Sequence, residues 1–195
     1  MSREFFNTRA ATWDEKVTEK DPSKLEAILA RMDIEPGSAV LDVGTGTGVF
    51  VPYLLHKIGE QGQLVCLDFA ENMLAITRAK RFSEDIRYIC ADITESGLPD
   101  NVFDAVVCYS VFPHFEDKPK ILDEIYRVLK PDGRLFIAHT SSRQAINDIH
   151  RSLPEVSDHV FPENEELEMM LTSAGFIDIS ISDGRDSYFV RAVKP

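Results

Sequence analysis

The 195-residue chain has no apolar stretch near the roughly 20 residues that a membrane-spanning helix needs. Its first residues, MSREFFNTRAATWDEK, lack the apolar run of a secretory signal. Cysteine is scarce: Cys66, Cys90 and Cys108 are odd in number and too far apart for a zinc knuckle, and each sits in an apolar segment (LVCLD, RYICAD, AVVCYS). That usage predicts reduced thiols packed in a core and a cytoplasmic location. Positive charge is also short, with 21 Lys and Arg against 33 Asp and Glu for a net charge of −12. A field of that sign repels phosphate backbones, so nucleic acid is not an expected partner. No H-x-x-x-H or Cys/His spacing calls for a metal. The remaining composition is that of an ordinary globular protein, 44% hydrophobic and 28% charged. The length suits a single domain over 1–195, which can bury about 70% of its extended surface without disulfide or metal staples.

Apolar runs alternate with helical periods along the chain. Strands are expected at 39–43, 63–67, 86–90, 103–109, 134–139, 177–182 and 188–193, and runs such as AVLDV, AVVCY and LFIAH read as central parallel strands covered on both faces. Leu25, Ile28, Leu29 and Met32 recur at helical spacing, as do Ile121, Ile125, Val128 and Leu129. Glu35-Pro36-Gly37, Gly59 and Lys130-Pro131-Asp132-Gly133 punctuate helix ends. The alternation predicts a doubly wound α/β sheet of Rossmann-like type. After a helix at 163–174, two strands joined by a turn at 183–186 read as a closing antiparallel hairpin. Residues 1–21 and 140–160 fall outside the alternation. Both are placed to cover the carboxyl edge of the sheet, where open α/β sheets bind ligands.

The run Val40-Leu41-Asp42-Val43-Gly44-Thr45-Gly46-Thr47-Gly48 ends a buried strand in three alternate glycines, which permit a tight turn and close approach of backbone N–H groups to a ligand. It is not the dinucleotide pattern, because Val49 stands where G-x-G-x-x-G needs its third glycine. Asp42 would oppose a pyrophosphate but suits a cationic ligand. Asp68 closes the second strand, where a carboxylate can take both hydroxyls of a ribose. With Glu71 it also forms a helix-capping pattern. Asp92 closes the third strand and can accept from an exocyclic amine, or serve the turn alone. Three carboxylates at three successive strand ends point to a ligand with ribose and amino groups but no phosphate. A nicotinamide oxidoreductase is the disfavoured alternative.

VLDVGTGTG, Asp68, CADITESGLP, FDAVVCYS and RVLKPDGRLFIAH together resemble class I S-adenosylmethionine-dependent methyltransferases, in the small-molecule, quinone-biosynthesis-like branch termed type 11. The resemblance covers 36–140 most strongly. It implies a seven-stranded sheet in the order 3-2-1-4-5-7-6 with an antiparallel last strand, S-adenosylmethionine as cofactor and S-adenosylhomocysteine as product. By the same resemblance Gly44, Gly46 and Gly48 pack under the methionine and ribose, and Asp42 supports the loop or the amino group. Asp68 binds ribose, Phe69 and Met73 flank the adenine, Asp92 with the Ile93 backbone reads its edge, and Ser110 lies under the methionine. Met73 is equally readable as core packing.

Methyl transfer from a sulfonium is mainly a matter of alignment and exclusion of water, with a base needed only when the acceptor must lose a proton. Four of the five histidines, His114, His139, His150 and His159, follow expected strands. His139 and His114 are the candidate catalytic groups. Phe6, Trp13, Arg143 and His150 are candidates for a small-molecule acceptor site, with Arg143 taking an anionic group. His139 and His150 could also form a base or metal site, although no ligand spacing supports a metal. A regulator or scaffold that binds the cofactor without transferring its methyl group is the alternative in another class.

Overall fold

The computed structural model describes residues 3–16 and 20–195. Helices α1 (Arg3–Lys16) and α2 (Pro22–Arg31) precede the regular alternation β1 (Ala39–Val43), α3 (Val51–Ile58), β2 (Gln63–Asp68), α4 (Glu71–Ala79), β3 (Arg87–Cys90), β4 (Phe103–Tyr109), α5 (Lys118–Val128) and β5 (Leu129–His139). Then come α6 (Arg143–Arg151), α7 (Asn164–Ser173), β6 (Ile177–Gly184) and β7 (Ser187–Val193). Single 3₁₀ turns at Ile93–Glu95 and Phe112–His114 follow β3 and β4.

The sheet has seven strands in the order β3-β2-β1-β4-β5-β7-β6. β1 to β5 run parallel, whereas β7 is antiparallel to both β5 and β6. This is the expected Rossmann-like order with its closing hairpin. Strand period two divides the core. Leu41, Val43, Val106, Cys108, Leu135 and Ile137 face a cluster that includes α5 and α7 residues. Val40, Val107, Phe136 and Ala138 face the one built on α2, α3 and Leu74 of α4. A third, smaller cluster joins Phe6 and Ala10 of α1 to Ala70 and Met73.

Helix ends follow local chemistry. Asp21 accepts from the Ser23 and Lys24 N–H groups with Pro22 at the first helical position, and Asp117 and Ser142 cap α5 and α6. α1 differs, because it has almost no amphipathic pattern of its own and is held from outside. Asn7 Oδ1 accepts from the Asn72 N–H (3.0 Å), capping α4 from another helix, while the Asn72 side chain donates to the Asn7 carbonyl (3.1 Å).

Two expectations are corrected. Lys130-Pro131-Asp132-Gly133 does follow a helix end, but the fifth strand starts at Leu129 and not at the expected 134. α5 stops at Val128, and the four residues form an irregularity inside β5 between the Phe103–Leu129 and Ala105–Arg134 pairings. Asp132 adopts φ +62° there, and the excursion is tied down by Asp132 N–H to Lys194 O and Lys194 N–H to Gly133 O, both 2.9 Å. Cys66 and Cys108 are buried and burial pushes both thiols up, but Cys90 is exposed. It ends β3, the edge strand, which is only partly covered. Among the described residues, no helix is long and apolar enough to cross a membrane.

Candidate active site

The ends of β1 to β4 open into a cavity of about 310 Å³, within the range of small-ligand sites. Its floor is the glycine loop. Gly44, at φ +71°, lies so close to Val111 that an added Cβ would sit 2.3 Å from Val111 Cγ2. Gly46 has φ +57° and room where a side chain would be, the nearest atom to an added Cβ being Gly44 O at 3.9 Å. The Gly44 and Thr45 N–H groups donate to Leu67 O (2.8 and 3.1 Å), and Thr77 Oγ1 donates to Gly46 O (2.7 Å). The loop is therefore held in this conformation by protein contacts. Ser110, at the end of β4, is held at φ +54°, a conformation rare for a side-chain-bearing residue.

Asp68 is buried and clamps this loop. Its Oδ2 accepts from Gly46 N–H (2.7 Å) and its Oδ1 from Ala70 N–H (2.8 Å). Burial raises its pKa, and the bonds from the Ala70, Gly46 and Phe69 amides oppose that rise. The capping pattern is realised only in part: Ala70 occupies the N-cap position of α4, and Glu71 turns to Asn7 instead of reaching back. Asp42 is buried beneath the loop and accepts from Thr45 Oγ1. Burial pushes its pKa up to about 7, against the Thr45 bond and with added repulsion from Asp68. Asp92 Oδ1 accepts from the Thr94 N–H and hydroxyl, both at 2.8 Å, so its turn role is present alongside its place on the cavity wall.

Nine of the ten cofactor candidates line the cavity: Asp42, Gly44, Gly46, Asp68, Phe69, Met73, Asp92, Ile93 and Ser110. Gly48 does not. It packs behind the loop, where a Cβ would meet Thr77 (2.7 Å) and Phe82 (3.0 Å). Phe6, Trp13 and His114 also line the cavity. The Phe6 ring stands edge-on to His114 (5.3 Å) and Phe69 (5.9 Å). His114 is buried, and burial together with its neighbours His150, His159, His139 and Lys118 holds its pKa well below 6.5.

His139, Arg143 and His150 are not on the cavity wall. His139 is buried beside its strand partner Tyr188 and packs edge-on to Phe161 (5.0 Å). It shares the face of Leu135 and Ile137, and β7 closes the flank that a strand end would otherwise leave open. Arg143 spends its guanidinium on Glu163 (2.8 Å) and lies 3.7 Å from Asp183, which leaves little of it for an anionic ligand. His150 lies behind His114, its ring tilted by 41° with centroids 4.7 Å apart. The 140–160 segment thus backs the cavity instead of lining it. Among the described residues, no group of three or more His, Cys, Asp or Glu side chains is disposed to hold a metal ion.

Sequence reasoning missed the residues that fix α1. Asp14 accepts from Thr47 Oγ1 (2.5 Å) and from Lys80 Nζ (2.7 Å), and Lys80 also donates to Thr47 O (2.7 Å). Burial opposes ionisation of Asp14, but the Lys80 and Thr47 bonds outweigh it and lower its pKa. The threonines alternating with the loop glycines were a signal. Asp14, 33 residues away, carried none.

Residues 41–137 match the sequence model of a methyltransferase domain. The chain is 30% identical over 136 residues to the ubiquinone/menaquinone biosynthesis C-methyltransferase of Vibrio cholerae, covering 68% of this chain and 52% of that protein. It is 29% identical over 182 residues to a Geobacillus demethylmenaquinone methyltransferase, covering 80% and 78%. The chain belongs to the class I S-adenosylmethionine-dependent methyltransferases. It spans about half the length of the Vibrio relative, 52%. In structure, the chain superposes on a SAM-dependent methyltransferase from Aquifex aeolicus over 100% of both chains, with TM-score 0.75 and 24% identity.

S-adenosylmethionine is the cofactor of this family, and the site fits it. Asp42, Asp68 and Asp92 make an acidic lining in which, among the described residues, the only lysine or arginine is Lys120. Such a donor set suits a cationic nucleoside and opposes a pyrophosphate. The open, left-handed Gly46 gives the space for close backbone approach.

Proposed function

We propose that this methyltransferase transfers the methyl group of S-adenosylmethionine to a small aromatic acceptor of hydroquinone type, beneath a cover formed by α1. The observation that carries the reading is a single cavity with two chemically different walls. One wall is the glycine loop with its carboxylates. The other is Phe6, Trp13 and Phe115 around a buried, neutral imidazole, His114. The names of the Vibrio and Geobacillus relatives support a quinone-like acceptor.

When bound, the cofactor supplies a methyl group already activated on a sulfonium, so the protein's part is placement. Asp68, fixed by two backbone amides, keeps its remaining lone pairs for the ribose hydroxyls. Phe69 and Met73 flank the adenine, and Asp92 with the Ile93 backbone takes its edge. The aromatic rings of α1 exclude water and orient a planar acceptor. His114 accepts the acceptor's proton, which a group held neutral at pH 7 is free to do.

A thermal-shift series with S-adenosylhomocysteine, followed by transfer of labelled methyl to a demethylated menaquinol, tests the reading. Stabilisation by the product that is lost in Asp68→Ala, with turnover by the wild type, is the expected outcome. Product binding without turnover on any hydroquinone would favour a binding scaffold instead. Stabilisation by NADH alone would make the chain an oxidoreductase.

A further inference from the structure

His114 has company behind the cavity wall. Its Nδ1 lies 3.2 Å from Nδ1 of His159. Nδ1 of His150 meets the backbone carbonyl of His159. A carbonyl only accepts, so His150 carries its proton on Nδ1 there and pins the His159 backbone. Two imidazole nitrogens at 3.2 Å need one proton between them. They face each other as donor and acceptor and do not converge on a common point as metal ligands do. The chain of groups leads outward. The His159 side chain keeps 13% exposure, and its Nε2 lies 3.9 Å from Oδ1 of Asp158, which is 87% exposed.

We propose that His114 and His159 form a relay that carries one proton per turnover from the acceptor to solvent at Asp158. The relay rests on the hydroquinone reading and adds His159 to it. Replacing a ring hydrogen by methyl releases one proton, and Phe6 and Trp13 line the same cavity as His114. At rest, His114 carries its proton on Nδ1 and donates it to the bare Nδ1 of His159, whose own proton is on Nε2. As the acceptor O–H bond breaks, its proton bonds to Nε2 of His114; the methyl group leaves sulfur for the ring carbon, and the hydrogen which that carbon then loses restores the O–H bond, so one proton leaves in all. The Nδ1 proton of His114 passes to Nδ1 of His159, and the Nε2 proton of His159 leaves to Asp158 and water. Each ring gains one N–H bond and loses one, so both stay neutral as the opposite tautomers, and exchange with water restores them after product leaves. The direction follows from the surroundings. His114 is depressed by burial and by His150, His159, His139 and Lys118. At His159, burial and Lys118 depress but Asp158 opposes, so positive charge is better tolerated at the outer ring.

Imidazole ¹⁵N shifts of the whole protein test the resting state. The relay requires His114 as the Nδ1–H tautomer and His159 as Nε2–H, and the reverse assignment overturns it. In turnover, His159→Phe is expected to lower kcat about 100-fold with KM for S-adenosylmethionine unchanged and the product-induced thermal shift retained. Should that variant fail to fold, His159→Asn carries the same expectation. Added imidazole should restore turnover to His159→Ala, a rescue that a purely structural histidine would not show. An unchanged kcat in a folded variant overturns the relay and leaves methyl transfer standing. A wild type that binds product but methylates no hydroquinone overturns the functional reading, and the relay with it.

Discussion

Asp42→Asn replaces a buried acid by a neutral side chain of the same shape, one that still accepts from Thr45. In the folded protein the acid's pKa stands at about 7 in place of 3.8. Its neutral form is therefore the favoured one inside. Stability from this group is fully present below the unfolded value and is lost as pH rises through the folded one. At about 1.4 kcal/mol per pH unit, the loss approaches about 4 kcal/mol across the whole interval, of which about 3 kcal/mol falls between pH 5 and pH 8. Urea unfolding of the ligand-free protein, followed by far-ultraviolet circular dichroism at both pH values, measures it. The variant should gain on the wild type by about 3 kcal/mol from pH 5 to pH 8. Because other groups titrate in both proteins, the difference between the two curves is the diagnostic quantity. A cationic ligand favours the ionised carboxylate, so wild-type affinity for S-adenosylmethionine should rise from pH 6 to pH 8 while that of the variant rises less. Stability curves that run parallel within about 1 kcal/mol would refute the reasoning.

Three further outcomes follow from the same geometry. Gly44→Ala should cost about 1–2 kcal/mol for the left-handed backbone and about 1–3 kcal/mol for the clash with Val111. Adding Val111→Ala should recover only a share of the second part, because Val111 Cβ still lies 2.7 Å from the added Cβ, and a denaturation midpoint unmoved by Gly44→Ala alone would discredit the packing at that loop. His139→Ala should lower stability by about 2–4 kcal/mol through lost packing on Phe161, with kcat per folded molecule unchanged. A selective loss of kcat would return His139 to the reaction. Arg143→Ala, which releases partners that already occupy the guanidinium, should alter stability by about 1 kcal/mol and leave KM for the acceptor as it was. A raised KM would show that this arginine does meet the acceptor.

The order of elements, the glycine loop and the strand-end carboxylates were legible in the chain because each is written locally. A buried parallel strand is a short apolar run, a loop that turns through positive φ favours glycine, and a residue ending a parallel strand lies at the carboxyl edge, although its side chain can still turn into the core as that of His139 does. Gly48 shows the limit of that logic: its left-handed conformation was local, but the side of the loop it packs on depended on Thr77 and Phe82. The histidines exceeded it. His114, His139, His150 and His159 all follow strands, yet one lines the cavity, one is core and two stand behind. That sorting was set by β7 closing the flank beside His139 and by α6 folding back across the turn after β4. The bond from Thr47 to Asp14 was likewise invisible, since it joins a loop to a helix with scarcely any amphipathic pattern of its own. Backbone conformation and strand burial depend on neighbours within a few residues, and the sequence by itself determined those. Which polar side chains meet depends on distances between elements far apart in the chain, and only the tertiary structure decided that.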